Sequence, residues 1–346
     1  MTDVIENPAP LQNDYLPEKF VDREEEQAAL QAAFSNPSET SLRNLHLYGP
    51  RGTGKTHLLR SVIEELPDRV QVCSIPCNRC DTEYKALKQI YQVLTRENIN
   101  NGYHTSDLQR EIENRVGQLP TAIILDEVEF ILLNDGESLL YFLSRLDNAE
   151  NLSITTISAN HEELPVEERT KSSLQTQRIE FPQYTGETTY EILLERAQDA
   201  LTSRSLEQEV LTYIASTTSN TSLGLTWLKT AAQQAENTIT EEHIQELQPD
   251  AYRNYVNQLL GSFTEHHERI YQAIQELHEE QKTEAIQSGA IYERYQELCT
   301  TYNENSLSNR RISDYLKHLE FQGLIETVYH YGGRKGKTRE ITLNPT

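Results

Sequence analysis

The sequence predicts an α/β fold: a parallel sheet flanked by helices, then an all-helical segment, then a carboxyl-terminal winged helix. Three observations predict it. Strand and helix patterns alternate from residue 42 to about 182. Strand patterns stop after FPQYTGE (181–187), and only helical spacing follows as far as 250. The last third ends in helical patterns and two short strand patterns joined by a glycine-rich basic turn. The corresponding boundaries are 1–14 for a polar, flexible amino-terminal arm, 15–185 for the sheet domain, 186–250 for a helical lid and 251–346 for the winged helix.

The elements follow in order. VDREEEQAALQAAF (21–34) has apolar residues at helical spacing, with Asp22 as N-cap and acids in the first turn. LRNLHLYG (42–49) alternates as a strand and runs into glycine. KTHLLRSVIEEL (55–66) is helical, RVQVCSIPC (69–77) is a second strand, and DTEYKALKQIYQVL (81–94) is an amphipathic helix. TAIILDEVEF (121–130) is a buried strand by its apolar run, SLLYFLSRLDNA (138–149) a helix, and LSITTISAN (152–160) a further strand. Beyond 187 come ETTYEILLERAQDAL, LEQEVLTYIAS, SLGLTWLKTAAQQAEN and TEEHIQEL, all helical.

The chemistry begins at Gly49-Pro50-Arg51-Gly52-Thr53-Gly54-Lys55-Thr56, which fits the phosphate-loop pattern G-x-x-x-x-G-K-[ST]. Its glycines let the backbone curl so that successive amides face phosphate oxygens, and the helix that follows presents its amino-terminal dipole to the same anions. Lys55 places a charge at the β- and γ-phosphates, and the Thr56 hydroxyl suits Mg²⁺. About 70 residues on, an apolar strand ends in Asp126 and Glu127. Asp126 suits the surroundings of Mg²⁺, and Glu127 suits a base that polarises the attacking water. Asn160, at the end of the next strand, is placed to position that water.

These residues resemble a known family. A phosphate loop, an acid pair, a polar residue on the following strand and an all-helical lid are the AAA+ layout. The wording is similar to the archaeal origin-recognition and cell-division-cycle (Orc/Cdc) replication initiators: LPEKFVDREEE (16–26), YGPRGTGKT, CNRCDTEY, ILDEVEF, ERTKSSL (168–174), IEFPQYT and EILLERAQDAL occur here in that family's order. The resemblance implies that Phe20, Val21 and Arg23 pack around adenine. It implies that Lys55, Thr56, Asp126 and Glu127 serve phosphate and Mg²⁺, and that Asn160 is the sensor. It places Arg169 where an arginine faces a neighbouring subunit's nucleotide. ATP or ADP with Mg²⁺ is the implied cofactor. There is one departure. The family's lid helix carries an arginine that reaches the γ-phosphate, and Ser222 stands at that position. The expectation is an ATPase of the AAA+ class with slow or absent hydrolysis.

In the last third, SLSNRRISDYLKHLEFQGLIETV (306–328) places Ser308 as a cap, and Ile312, Tyr315, Leu316 and Leu319 on an inner face. Arg310, Arg311, Lys317 and His318 project elsewhere in this reading. Arg334, Lys335, Lys337 and Arg339 crowd the hairpin turn, in a chain whose net charge is −23. With Arg310, Arg311 and Lys317 they are the candidate contacts to double-stranded DNA. The resemblance adds contact from the helical region around 95–115, origin repeats as the target, self-association on DNA and recruitment of the replicative helicase.

Composition bounds these readings. No run approaches the 18 apolar residues that a membrane helix needs, and residues 1–20 lack a signal-peptide pattern. A cytoplasmic, nucleoid-associated protein with no membrane partner is expected. The acid excess suits a high-salt cytoplasm. Cys73, Cys77 and Cys80 lack a nearby fourth ligand for zinc, and His266-His267 reads as solvent-facing. Two other functions fit the same residues: a nucleotide-bound regulator of transcription or plasmid copy number, and a signalling NTPase whose winged helix binds protein.

Overall fold

A computed structural model describes residues 4–34, 42–97, 102–116, 118–134, 136–146, 151–159, 161–282, 285–330 and 338–344. It divides into two compact units, Met1–Tyr255 and Val256–Thr346.

The first unit opens with a short 3₁₀ turn, Ala9–Leu11, and then α1 (Glu24–Phe34). Strand β1 (Leu45–Tyr48) leads into α2 (Lys55–Glu64), and β2 (Gln71–Pro76) into α3 (Glu83–Thr95) and α4 (Thr105–Arg115). Next come β3 (Thr121–Asp126), α5 (Glu129–Leu132), α6 (Glu137–Ser144), β4 (Leu152–Ser158), α7 (Glu168–Leu174) and β5 (Gln177–Glu180). The five strands run parallel in the order β2-β3-β4-β1-β5. Strand β3 is buried along all of TAIIL, and β4 along its whole length, as central parallel strands must be. This order sets the end of β1, which feeds the phosphate loop, beside β4 and one strand from the end of β3, which carries the acids.

The helical segment that follows is α8 (Gly186–Ala200), α9 (Gln208–Thr217), α10 (Thr221–Gln234) and α11 (Glu241–Gly261), within which the two units divide. Its core joins Leu193, Val210, Ile214, Trp227 and Leu228. Val4 and Leu11 belong to that core as well. The arm is therefore packed, contrary to the expectation of a flexible segment. Ile5 bridges Leu201, and the amides of Glu6 and Asn7 both donate to the Ala200 carbonyl. Arg196 donates to the carbonyls of Pro10 and Tyr15, and Lys229 to Gln12 Oε1 at 2.6 Å. The apolar residues of the arm are too few to show a period, but they are enough to bury. Asp22 also departs from expectation: its φ is +55°, the helix begins two residues later, and its carboxylate accepts from the Thr188 hydroxyl.

The second unit holds α12 (Glu265–Gln281), β6 (Ile286–Gln287), α13 (Ser288–Thr301), α14 (Asn309–Phe321), β7 (Ile325–His330) and β8 (Thr338–Leu343). The sheet is antiparallel in the order β6-β8-β7, so the predicted hairpin gains a third, two-residue strand. Ser308 caps α14, accepting from the Arg311 amide, and Ile312, Tyr315, Leu316 and Leu319 are buried as expected. Two histidines correct the sequence reading. His267 and His318, at 0% and 1% exposure, hydrogen-bond each other at 3.0 Å and join α12 to α14 inside the core. Cys73 and Cys77 are buried thiols, neither of which joins a group of metal-ligating side chains among the described residues, and burial pushes Cys73 up to about 12.

A packed arm has a measurable consequence. Leu11→Ala removes a side chain that is 2% exposed. It is expected to lower unfolding free energy by about 2–5 kcal/mol in urea titration. An unchanged midpoint would show the arm to be free.

Candidate functional site

The phosphate loop is built on three glycines with positive φ, +138° at Gly49, +78° at Gly52 and +87° at Gly54. Such values exclude most side chains and curl the backbone into a nest of amides. A neighbour fills the space beside each glycine. A Cβ at Gly49 would collide with the Phe181 carbonyl just after β5. One at Gly52 would lie 2.5 Å from Asn220 Oδ1 at the start of α10, and one at Gly54 would lie 2.9 Å from the Tyr184 hydroxyl. The loop therefore fits a polyphosphate in its backbone conformation as well as in its sequence.

Lys55, the first residue of α2, is 8% exposed and donates to the carbonyls of Gly49 and Pro50 at 2.6 and 2.7 Å. Burial pulls its ammonium down to about 8, against the opposing charges of Asp126 and Glu129. Thr53 closes the turn by donating to the Pro50 carbonyl at 2.9 Å. Thr56 donates to Asp126 Oδ2 at 3.0 Å, which brings the two expected Mg²⁺ groups together from α2 and β3. Burial pushes the Asp126 carboxyl up to about 6, although the Thr56 hydrogen bond works the other way. A divalent cation would be held by these two side chains and would neutralise β- and γ-phosphate oxygens.

Glu127 sits at φ +54° and forms an ion pair with Arg51 of the phosphate loop. The two side chains expected to serve nucleotide and water thus hold each other. Asn160 falls outside the described residues.

Arg23, expected beside adenine, is engaged by the protein around it. It is 2% exposed, and its guanidinium donates to the carbonyls of Thr53, Asp22 and Pro182 and pairs with Glu26 at 3.3 Å. It also lies 4.0 Å over the Tyr184 ring. With its donors so engaged, Arg23 braces the loop from behind. Phe20 and Val21 are half-buried, and Phe20 packs on the core that includes Leu30, Phe34, Leu45 and Leu47.

One residue escaped the sequence reading. Glu129 is 4% exposed. Its Oε1 accepts from the Ser158 hydroxyl and from the Ala159 amide at 2.6 Å, while Oε2 has no hydrogen-bond partner among the described residues. It fixes the end of β4 immediately before Asn160. The available signal was an acid inside the apolar run VEFILL.

Arg169 lies at the start of α7 with 66% of its side chain exposed, paired with Glu167 at 2.7 Å. It stands 5.2 Å over the Tyr141 ring and lines a cleft with Gln109, Glu113, Glu137 and Arg145. In the region expected to touch nucleic acid, α4 turns Leu108 and Ile112 inward and leaves Arg110 69% exposed.

In the second unit the candidate DNA residues separate. Arg310 is exposed on α14, Arg311 lies 5.5 Å over the Tyr315 ring, and Lys317 pairs with Asp314 at 3.2 Å. Arg339 is 7% exposed and donates to the Ser313 hydroxyl and carbonyl, so it pins β8 to α14 and is not a free wing contact. Arg334, Lys335 and Lys337 lie outside the described residues.

The buried lysine predicts a pH dependence. Phosphate needs the ammonium form and in turn stabilises it, so binding takes up a proton once the free chain passes about pH 8. The Kd for a fluorescent ADP, titrated without divalent cation, is expected to rise from pH 7 to 9, and Lys55→Arg to flatten the rise. A Kd independent of pH in the native chain would contradict this.

Comparison with known proteins bears on the whole chain. Residues 19–157 match the AAA ATPase domain, and residues 258–346 match the C-terminal winged helix domain of CDC6. ORC1-type DNA replication protein 1 of Methanothermobacter thermautotrophicus is 28% identical over 96% of this chain and 91% of its own length. That of Sulfurisphaera tokodaii is 27% identical over 95% and 87%. The Aeropyrum pernix Orc1 protein, solved in complex with DNA, superposes with a TM-score of 0.76 at 26% identity and covers 100% of this chain and 95% of that one. Cdc6p of Pyrobaculum aerophilum shares the fold, with a TM-score of 0.65 at 19% identity over 99% and 94%. A phosphate loop and acid pair in a parallel sheet and a winged helix thus occur along one chain, and over nearly its whole length the chain is similar to archaeal Orc1/Cdc6 proteins, with an AAA ATPase domain and a CDC6-type C-terminal winged helix.

Proposed function

We propose that this chain is a replication initiator that holds ATP or ADP with Mg²⁺ and binds double-stranded origin DNA. One observation carries the reading: the phosphate loop with its acid pair shares a chain with a winged helix whose α14 turns Arg310 to solvent. The Aeropyrum Orc1 complex with DNA supports the same partner here. In this reading residues 15–185 are the nucleotide-binding base, 186–250 the lid and 251–346 the DNA-binding part. Self-association on DNA through Arg169, and recruitment of the replicative helicase, complete the proposal. The acid excess, net −23, suits work in concentrated salt, where α14 must rely on base edges and DNA shape more than on counterion release.

Within the site, the loop amides and Lys55 hold the phosphates, Thr56 and Asp126 hold the cation, and Glu127 activates water. Two features make hydrolysis slow. Ser222 offers no cation to the γ-phosphate, and Arg51 occupies Glu127. Turnover is expected well below about 1 s⁻¹ in phosphate-release assays. A faster rate would contradict this part of the account.

The DNA reading is tested by selecting bound fragments from sheared genomic DNA in molar salt with ATP and Mg²⁺. Recovery of a few repeat-bearing loci, lost with Arg310→Ala/Arg311→Ala, is expected. Enrichment at many promoters would point to a regulator. No enrichment would leave the winged helix as a protein-binding surface and the chain as a signalling NTPase.

A further inference from the structure

The second unit holds a cluster that neither the nucleotide site nor the DNA contacts use. His266 lies in the first turn of α12, Cys299 in the last turn of α13, and Glu304 in the turn that follows. A ring nitrogen of His266, the Cys299 sulfur and a carboxylate oxygen of Glu304 all lie within 4.8 Å of one another. The backbone builds this meeting. Asn303 takes a left-handed conformation, φ +55°, and the Glu304 amide then donates to the Cys299 carbonyl at 2.8 Å. The side chains are held by neighbours. Tyr295, fully buried one helical turn before Cys299, places its hydroxyl 2.8 Å from His266 Nδ1 and interacts with the Cys299 thiol. Arg269 donates to Glu304 Oε1 at 3.1 Å while lying 3.8 Å over the Tyr302 ring. Glu304 Oε2 is buried with no hydrogen-bond partner among the described residues. An unmatched carboxylate oxygen in that state is costly, and a cation would satisfy it.

We propose that His266, Cys299 and Glu304 form a binding site for a transition-metal ion of the Zn²⁺ type, which ties the start of α12 to the end of α13. Imidazole nitrogen, thiolate sulfur and carboxylate oxygen are donors that Zn²⁺ takes, whereas Mg²⁺ and Ca²⁺ prefer oxygen alone. Tetrahedral bonds of about 2.0–2.3 Å set ligand atoms roughly 3.4–3.6 Å apart, so the ion draws the cluster together by roughly 1 Å. Thiolate and carboxylate balance its two charges, Tyr295 orients two of the ligands, and water takes the fourth position. The site bears on α14. The Leu307 amide donates to the same Tyr295 hydroxyl at 3.1 Å, immediately before the Ser308 cap. Metal binding therefore stiffens the approach to the helix that carries Arg310.

The test is metal binding by the full chain, stripped with chelator and free of nucleotide and DNA. One equivalent of Co²⁺ is expected to produce the visible absorption of a tetrahedral site with a thiolate charge-transfer band, and Zn²⁺ to displace it. Cys299→Ser is expected to lose the thiolate band, and Glu304→Gln to weaken Zn²⁺ at least about ten-fold. Zn²⁺ is expected to raise the melting temperature of the native chain more than that of either variant. Melting without metal is the control for folding. A cobalt spectrum without the thiolate band would place the ion at Thr56 and Asp126. A band that survives Cys299→Ser would place it at Cys73, Cys77 or Cys80. Either result would overturn the proposal, as would a native chain that takes up neither metal. If Cys299→Ser does not fold, Glu304→Gln decides, and unchanged Zn²⁺ affinity in it would overturn the proposal equally.

Discussion

Everything around the site depends on the space that three glycines leave open. With φ of +138°, +78° and +87°, Gly49, Gly52 and Gly54 hold a backbone shape that side-chain-bearing residues seldom adopt. Each opening is filled by an atom from a different part of the first unit: the Phe181 carbonyl, Asn220 Oδ1 and the Tyr184 hydroxyl. The loop is thus the point where the edge strand β5, the approach to α8 and the first turn of α10 converge. Arg23 closes the set from behind, tying Thr53 to Pro182 through one planar fork.

The electrostatics follow from that crowding. Lys55, Asp126 and Glu129 lie close enough that each bears on its neighbours, and burial moves the lysine down and the aspartate up. Both shifts weaken the charged forms on which phosphate and cation binding rely, so the site favours a ligand that supplies the opposing charges together. Arg51 and Glu127 add a second pairing at the mouth of the loop. In the second unit a similar economy appears at Arg339. It looks like a wing cation in the sequence, yet it holds β8 to Ser313.

Much of this was legible beforehand. Strand β3 announced itself by its apolar run, because a central parallel strand is buried on both faces, whereas β2, at the sheet edge, buries only alternate residues. The loop and acid pair were legible because phosphate chemistry demands those residue types at that spacing. Strand β5 was less so: QRIE buries a single residue at an edge. The arm was misjudged because Val4 and Leu11 bury by long-range contact, which leaves no local period. The resemblance placed Arg23 beside adenine, and its engagement with Pro182, 159 positions away, has no trace in the local pattern. His267 and His318 read as polar surface, but they hydrogen-bond each other inside the core. Asn220 and Thr221 belong to no motif in the sequence. Their meeting with Gly52 is a property of the fold.

The central claim is that residues 49–56 are built to hold a nucleotide's phosphates. The most direct measurement is to purify the chain without added nucleotide, denature it, and identify by chromatography what it releases. About one equivalent of an adenine nucleotide per chain, absent from a Lys55→Ala preparation, is the predicted result. An empty native chain that also fails to take up added ATP or ADP would contradict the account.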